Sequence, residues 1–232
     1  MAFVRALLQR ASPPHALTLL TFTAGYESDL LVGAGLVRRV RTCYFGLEAF
    51  GLAPMFTQAA TSGVLQVVEE TEASLAFGLR AALAGVGFMP GRAWLGTDLL
   101  RARPDVRVVR DPYNGQEVVA FPAVTCDLAV LHALRADREG NAVLGGNLAL
   151  DLELALVAQR TVVTAEEVLE HLPGPVDISG VAVTAVVEAP HGAWPTSCYP
   201  LYPVAGGEIL RYSETCPAGF NDYLAAFLGP GR

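Results

Sequence analysis

Short apolar runs alternate with amphipathic segments along the chain, and this alternation constrains the fold more than any other feature. Runs of strand length occupy residues 16–22, 37–44 and 64–69, and segments with helical spacing occupy residues 27–35 and 72–83. Strands that alternate with helices at this spacing are typical of a parallel sheet covered by its own crossover helices. The sequence therefore predicts an α/β protein with an open, mostly parallel sheet flanked by helices.

The stretch at residues 88–122 interrupts this alternation and shows little helical periodicity. Within it, Asp111-Pro112-Tyr113-Asn114-Gly115 is a strong turn signal between two short strands, at residues 106–109 and 117–121. This pattern predicts a small antiparallel insertion beside the parallel sheet. With 232 residues the chain is long enough for one substantial core, so we expect a single domain over residues 1–232.

The second half of the chain continues the α/β pattern. Residues 160–164 predict a strand, and the TAEE sequence at 164–167 predicts the capped start of a helix that ends before Pro173. Residues 181–187 predict a further strand, and two short helices are expected after residue 206. Between them, residues 189–203 are rich in proline and aromatic residues and predict a loop.

Composition excludes several classes of partner. The net charge is −7, and no basic stripe interleaves with aromatic residues, so nucleic acid is not expected to bind. The longest charge-free stretch, residues 189–207, carries four prolines and is not a membrane span. Hydrophobic residues make up 52% of the chain and charged residues only 17%, which favours burial of apolar surface against a second polypeptide.

All 16 basic residues are arginine, and the chain has no lysine. A lysine Schiff base and a Walker-type phosphate loop are therefore excluded, and no permanently bound cofactor is expected. The four cysteines are far apart in the sequence, without a Cys-x-x-Cys pair, which favours reduced thiols and a cytoplasmic location. No histidine or cysteine pair has ligand spacing, so no metal site is expected.

Residues 126–141 are the first candidate for a functional site. An apolar run at 128–131 is followed by His132, Arg135, Asp137 and Arg138, and the segment closes on Gly140-Asn141. Ligands of open α/β sheets bind outside the carboxyl ends of the strands, so this pattern fits a site. The pattern by itself, however, favours a buried strand followed by a solvated turn.

Glu48 is the second candidate. It lies among apolar residues between Gly46 and Gly51, just after a predicted strand. Desolvation by such neighbours suits a general base or a nucleophile toward a thioester, whereas a carboxylate at a helix N-terminus explains the same position structurally. The loops at 94–98 and 191–199 fit a pocket lining, a packed lid or a subunit contact.

Six segments, read in order, resemble one known family. They are YFGLEAFGLAP at 44–54, GFMPGRAWLGTDLL at 87–100, DPYNGQEVVAFPA at 111–123, HALRADREGNA at 132–142, TVVTAEEVL at 161–169 and VVEAPHGAWPTSCY at 186–199. Together they resemble the A (alpha) subunit of family I CoA-transferases, in the glutaconate CoA-transferase branch. The resemblance covers about residues 2 to 225.

The resemblance implies a reaction and a partner. It implies an open α/β fold shared with sugar-phosphate isomerases, and a B (beta) subunit of similar fold with the active site between the two. The substrates would be an acyl-CoA and a small carboxylate or dicarboxylate. Coenzyme A would pass between them through a glutamyl-CoA thioester on the partner subunit, with glycine-rich backbone N–H groups stabilising the oxyanions.

The resemblance also implies a set of site residues. Glu48 is expected at the interface or the pocket, and the groups expected near the shared site are His132, Arg135, Asp137, Asn141 and Ser197. Because the chain has no lysine, Arg92 and Arg135 are the candidates to hold phosphate or carboxylate groups.

The sequence departs from the family at its start. Alpha subunits usually begin with a further strand and a Gly-Gly-Phe loop that helps to bind acyl-CoA, and this sequence starts at Met1-Ala-Phe-Val-Arg without them. Two alternatives to a transferase follow. One is an acyl-CoA hydrolase of the same fold, including ring-opening C–C hydrolysis, in which a carboxylate acts as general base on water. The other is a non-catalytic subunit.

Overall fold

The computed structural model describes residues 1–146 and 148–229. The helices of these ranges are α1 (Ala2–Leu8), α2 (Tyr26–Gly33), α3 (Pro54–Thr61), α4 (Glu72–Leu83), α5 (Leu99–Ala102), α6 (Asp151–Val157), α7 (Gly206–Thr215) and α8 (Phe220–Leu228). The strands are β1 (Leu17–Ala24), β2 (Val37–Phe45), β3 (Gln66–Glu69), β4 (Phe88–Gly91), β5 (Arg107–Arg110), β6 (Glu117–Pro122), β7 (Leu128–Asp137), β8 (Ala142–Val143), β9 (Arg160–Leu169) and β10 (Ala185–Glu188). None of these helices is both long and apolar enough to cross a membrane.

The strands form three sheets, and two of them are parallel. One has the order β1-β2-β3, and the other has the order β10-β9-β7-β8, in which the short β8 is the antiparallel member. The third sheet, β4-β6-β5, is antiparallel. The predicted α/β class and the predicted antiparallel insertion are both confirmed. The parallel strands, however, form two sheets instead of one.

The predicted helix beginning at residues 164–167 is wrong, because this segment is the second half of strand β9. Parallel pairing with β7 runs from Arg160, opposite Leu128, to Leu169, opposite Asp137. The local TAEE sequence favours a helix cap. The hydrogen-bonded pairing of β9 with β7 and the burial of Val163 and Ala165 stabilise the strand more strongly.

Strand β7 is also longer than the apolar run suggests. It continues past Leu131 to Asp137, so His132 and Arg135 lie within the strand and not in a loop after it. Because successive side chains of a strand point to opposite faces, His132 and Asp137 lie on opposite faces of the sheet.

The largest hydrophobic cluster joins the first parallel sheet to the helices that follow it and to the C-terminal helices. Among its fully buried side chains are Leu30, Val40, Tyr212 and Phe227. Residues far apart in sequence therefore share one core, which agrees with the single-domain prediction without testing it.

Asp29 is a buried carboxylate that ties three helices together within this core. Its oxygens accept hydrogen bonds from the backbone N–H of Met55 (3.2 Å) and of Phe56 (2.6 Å), and from the hydroxyl of Tyr212 (2.6 Å). The two amides belong to the first turn of α3, so Asp29 serves as the cap that α3 lacks from its own sequence. Burial raises the pKa of Asp29, against the lowering effect of these hydrogen bonds.

We expect Asp29→Ala to lower the free energy of unfolding by about 3 kcal/mol, because it leaves buried donors on α3 and α7 without an acceptor. Tyr212→Phe removes one of the three donors and leaves α3 capped, so we expect it to cost about 1 kcal/mol. Urea denaturation monitored by circular dichroism measures both. An Asp29→Ala protein as stable as the Tyr212→Phe protein would contradict the capping role.

Candidate functional site

His132 is held between two polar side chains of the neighbouring strand β9. The register of β7 and β9 places His132 opposite Thr164, and Glu166 follows two residues later on the same face. The Nδ1 atom of His132 lies 2.8 Å from Thr164 Oγ1, and its Nε2 atom lies 2.8 Å from Glu166 Oε1. The ring is thus fixed by one hydrogen bond on each nitrogen.

Glu166 in turn fastens the loop at residues 189–203 to the sheet. Its carboxylate accepts hydrogen bonds from the backbone N–H of His191 (2.6 Å), the backbone N–H of Gly192 (3.1 Å) and the hydroxyl of Tyr202. The Tyr202 hydroxyl also accepts a hydrogen bond from the N–H of Ala193 at 3.0 Å. The loop that carries Ser197 is therefore positioned by one carboxylate on β9.

The environment sets the protonation states of this pair. Burial lowers the pKa of His132, and the neighbouring Glu166 only partly opposes this. Burial acts to raise the pKa of Glu166, but hydrogen bonds from Tyr202, His132 and the N–H of His191 lower it overall. A neutral His132 can then donate its Nε2–H to a charged Glu166 carboxylate. Its Nδ1 faces the Thr164 hydroxyl, which also lies within donor distance, 3.2 Å, of the carbonyl of Leu131.

Cys198 brings a third potential metal ligand to the pair. The ligand atoms of His132, Glu166 and Cys198 all lie within 4.8 Å of one another, a proximity that sequence spacing did not predict. Burial raises the pKa of the Cys198 thiol, which keeps it protonated, and the Glu166 oxygens are already used by hydrogen-bond donors. The cluster therefore fits a hydrogen-bonded network better than a metal centre.

A cleft of about 1270 Å³ opens beside this network, between β1 and β7. Of the residues that the sequence analysis proposed for the site, His132 and Ser197 line the cleft. The described lining residues do not include the other five, Glu48, Arg92, Arg135, Asp137 and Asn141. Within this chain, the structure thus brings two of the seven to the cleft.

Asp137 and Asn141 organise the turn at the carboxyl end of β7. Asp137 accepts hydrogen bonds from the backbone N–H of Glu139 (3.0 Å), Asn141 (3.0 Å) and Leu172 (3.1 Å), and from the side-chain amide of Asn141. Burial acts to raise the pKa of Asp137, but these hydrogen bonds lower it overall. Asn141 Oδ1 also accepts from the N–H of Gly180 at 3.0 Å, so both side chains have a positioning role here.

The two arginines lie on exposed parts of the surface. Arg135 is exposed on β7, opposite Val143 on one side and Glu167 on the other. Arg92 follows β4 in the antiparallel sheet and donates a hydrogen bond from Nη1 to Gln116 Oε1 at 2.8 Å. Their proposed anion-binding role stays a prediction.

Glu48 is exposed just beyond the carboxyl end of β2, and its backbone has a positive φ of 54°. A non-glycine residue in this conformation costs about 1–3 kcal/mol and persists only where the surrounding structure enforces it. Here the enforcing contact is a hydrogen bond from the N–H of Leu47 to the carbonyl of Gly51, 2.8 Å long. The neighbouring Leu52 is 73% exposed, so this chain alone leaves Glu48 in water and does not desolvate it.

Sequence reasoning missed Glu166 and Tyr202. The signal for Glu166 was its spacing of two from Thr164, which places both on one face only if the segment is a strand. Because TAEE was interpreted as the start of a helix, Thr164 and Glu166 were not expected to share a face. No local sequence pattern pointed to Tyr202, because only the path of the loop at residues 189–203 brings it to Glu166.

The fold and these groups define a class: an open α/β protein with polar side chains clustered toward the carboxyl ends of its parallel strands. The family model described as coenzyme A transferase matches residues 1–189. The chain therefore belongs to the coenzyme A transferase family, and the resemblance to its alpha subunits is confirmed by the relatives described next.

Curated relatives carry both transferase and hydrolase names. The alpha (A) subunit of 3-oxoadipate CoA-transferase from Pseudomonas knackmussii is 32% identical over 90% of this chain and 78% of its own length. The cholesterol ring-cleaving hydrolase IpdA subunit of Rhodococcus jostii is 32% identical over 98% of this chain and 82% of its own length. The chain spans only 45% of a 36% identical, uncharacterised relative from Archaeoglobus fulgidus.

Two solved structures share the fold closely. A variant of the decarboxylase AibA/AibB has a TM-score of 0.90 at 30% identity, over 98% of this chain and 87% of that chain. The glutaconate coenzyme A-transferase from Acidaminococcus fermentans has a TM-score of 0.85 at 27% identity, over 97% of this chain and 77% of that chain.

We expect Glu166→Ala to release the loop at residues 189–203, because four donors lose their acceptor. Amide hydrogen exchange in that loop should accelerate, and the free energy of unfolding should fall by about 2–3 kcal/mol. Glu167→Ala is the matched control, since Glu167 is the next residue of β9 and its side chain is exposed on the other face. Equal exchange rates in the two variants would contradict the fastening role of Glu166.

The pKa of His132 provides a separate test of the network. Burial lowers this pKa and Glu166 raises it, so Glu166→Gln should lower it further below its ordinary value of about 6.5. The chemical shift of the His132 Hε1 proton, followed by NMR over a pH titration, measures the change. A pKa that rises in Glu166→Gln would show that the two side chains are not paired as described.

Proposed function

We propose that this chain is the alpha subunit of a hetero-oligomeric CoA-transferase that moves coenzyme A between an acyl-CoA and a small carboxylate. The observation that carries the proposal is the presentation of Glu48 at the carboxyl edge of the first parallel sheet, exposed and held by a strained backbone. Such strain is concentrated at functional sites, and a group intended for the chain's own core would be buried.

The surroundings of Glu48 support the docking of a partner subunit on this edge. Leu52, four residues after Glu48, is 73% exposed, and in the loop that leads to α7 Tyr199 is 83% exposed and Leu201 is 56% exposed. Gly206, at the start of α7, packs against Phe50 of the Glu48 loop, so both segments belong to one surface. Contact with a beta subunit would cover this surface and desolvate Glu48.

The chemistry of the proposed reaction places the nucleophile on the partner. A glutamate of the beta subunit would attack the acyl-CoA carbonyl carbon, and the thiolate of coenzyme A leaves. This thiolate then attacks the glutamyl carbonyl and releases the donor carboxylate, which leaves a glutamyl-CoA thioester, and the acceptor carboxylate reverses both steps. Glu48 would line this shared pocket, and Ser197 and His132 would face it from the loop and β7.

The reduced state of the cysteines supports a cytoplasmic setting. Cys43, Cys126, Cys198 and Cys216 are all free thiols. Because disulfides form in oxidising compartments, we infer that the protein works in the cytoplasm on coenzyme A thioesters supplied there.

An acyl-CoA hydrolase is the second candidate, and one observation favours it. The R. jostii relative is named as part of a ring-cleaving hydrolase, and it matches 98% of this chain. In a hydrolase, Glu48 would act as general base on water, and no thioester would form on the protein.

We expect Glu48→Gln to lower CoA exchange by about 100-fold in the complex reconstituted with a beta subunit, since a group that binds or polarises a reacting centre contributes on this scale. Glu117→Gln is the matched control, because Glu117 is exposed on the antiparallel sheet. Exchange is measured between several acyl-CoAs and free carboxylates, once gel filtration has shown that each complex is intact. Wild-type turnover in the Glu48→Gln complex would show that Glu48 is not part of the active site.

Trapping separates the two reactions. A transferase incubated with acyl-CoA accumulates a glutamyl thioester, which hydroxylamine converts to a hydroxamate that mass spectrometry locates on the beta subunit. A hydrolase of the proposed kind yields no adduct and releases free coenzyme A without an acceptor carboxylate.

A further inference from the structure

Tyr44 lies at the carboxyl end of β2, four residues before Glu48, and its backbone is held on both sides. On one side β1 pairs with it, and Tyr44 stands opposite Thr23. On the other side β3 has already ended, because its pairing with β2 stops at Thr42, opposite Glu69. The edge that β3 leaves open is closed by a side chain of β2 itself.

The hydroxyl of Thr42 takes the place of the missing strand. It donates a hydrogen bond to the carbonyl of Tyr44 at 2.6 Å and accepts one from the N–H of Tyr44 at 3.3 Å. The hydroxyl of Thr21 on β1 donates a further hydrogen bond to it at 3.0 Å, and Thr42 is buried. The backbone of Tyr44 is therefore fixed, although the residue stands near the end of a strand.

The ring of Tyr44 lies against the backbone of Gly46. A Cβ atom added to Gly46 would collide with Tyr44 Oη and lie 2.8 Å from its Cζ, so any other residue at this position has to push the ring aside. The N–H of Gly46 donates to the carbonyl of Ala24 at 3.1 Å, which fixes this backbone as well. Gly46 thus leaves room for the ring over the start of the Glu48 loop.

The hydroxyl of Tyr44 has no hydrogen-bond partner among residues 1–146 and 148–229, whose contacts with Tyr44 involve its backbone. Tyr44 is 41% exposed, so the hydroxyl is accessible from outside the chain. A phenol is both a donor and an acceptor, and one that is held on a rigid backbone is pre-organised to donate to a bound molecule.

This donor is within reach of a molecule that contacts Glu48. Because a Cβ atom lies about 1.5 Å from its Cα, the close approach to Gly46 places Tyr44 Oη within about 4 Å of the Gly46 Cα. Two residues of chain span at most about 7 Å, so the Cα of Glu48 lies no further than that from the Cα of Gly46. An acyl thioester over this loop can therefore contact both side chains.

We propose that Tyr44 is a catalytic residue of the proposed CoA transfer, and that its hydroxyl donates a hydrogen bond to the carbonyl oxygen of the acyl-CoA thioester. The inference rests on the function proposed above. When the glutamate carboxylate attacks the carbonyl carbon, the electron pair of the C=O π bond moves to the oxygen, and the phenol stabilises this oxyanion. When the carbonyl re-forms, the C–S bond breaks and the thiolate of coenzyme A leaves. The phenol keeps its proton throughout.

Tyr44→Phe, in the complex reconstituted with a beta subunit, tests this role. We expect kcat and kcat/KM for CoA exchange to fall together by about 100-fold, with the KM for acyl-CoA unchanged, because the hydrogen bond strengthens in the transition state. The loss should be the same for acyl groups with and without a distal polar group, since all of them share the thioester carbonyl. Tyr113→Phe is the matched control, because Tyr113 is 97% exposed in the turn between β5 and β6.

Gly46→Ala tests the position of the hydroxyl without removing it. The added Cβ meets the far end of the Tyr44 side chain, which can rotate away, so we expect the variant to fold. Exchange should fall nearly as far as in Tyr44→Phe, and the double variant should lose no more than about twofold beyond Tyr44→Phe, because both changes remove one interaction. Gly87→Ala is the control, since a Cβ there would meet nothing within 4 Å. Circular dichroism and gel filtration establish that each complex is intact.

The role of Tyr44 and the proposed function fail in different ways. Wild-type exchange in the Tyr44→Phe complex, measured beside a Glu48→Gln complex that has lost exchange, would overturn the role of Tyr44 alone. A raised KM at unchanged kcat, or a loss confined to acyl groups with a distal polar group, would make the contact one of substrate binding and overturn the catalytic role. A wild-type complex that neither exchanges nor hydrolyses any acyl-CoA would overturn both proposals. Hydrolysis without exchange would overturn the transferase alone, and a Tyr44→Phe loss in hydrolysis would then still support the donor.

Discussion

The parallel pairing of β7 with β9 is the interaction on which the rest of the site depends. It runs from Leu128 opposite Arg160 to Asp137 opposite Leu169, and it sets His132 beside Thr164 with Glu166 on the same face. A shift of one residue would turn Glu166 to the opposite face, away from His132 and from the loop that it fastens. The register of one strand pair thus determines the position of Ser197, more than thirty residues further along the chain.

Two parts of the proposed site have different characters. The His132–Glu166–Tyr202 network is enclosed, and its hydrogen-bonding groups satisfy one another, as a positioning device requires. Glu48 is exposed and strained at the edge of the other sheet. A rigid network within the chain and an exposed carboxylate at its surface together suit a site that is completed by a partner subunit.

The cleft between β1 and β7 relates the two sheets to each other. Within the described residues, β1 and β3 are the edge strands of the first parallel sheet, and β10 and β8 are the edge strands of the second. Unpaired strand edges favour association with other strands.

The sequence by itself determined the α/β class and the antiparallel insertion, because apolar periodicity and turn residues act locally. It also determined the family, because six motifs that occur in the same order are specific together, although each one alone is weak. The tertiary structure alone decided that residues 164–167 form a strand, because the ladder with β7 outweighs a local cap signature. It decided likewise that Asp137 and Asn141 hold a turn while His132 faces the cleft, because these positions depend on strand length and side-chain alternation. Tyr202 meets Glu166 only through the path of a long loop, and no local pattern in a sequence encodes such a path.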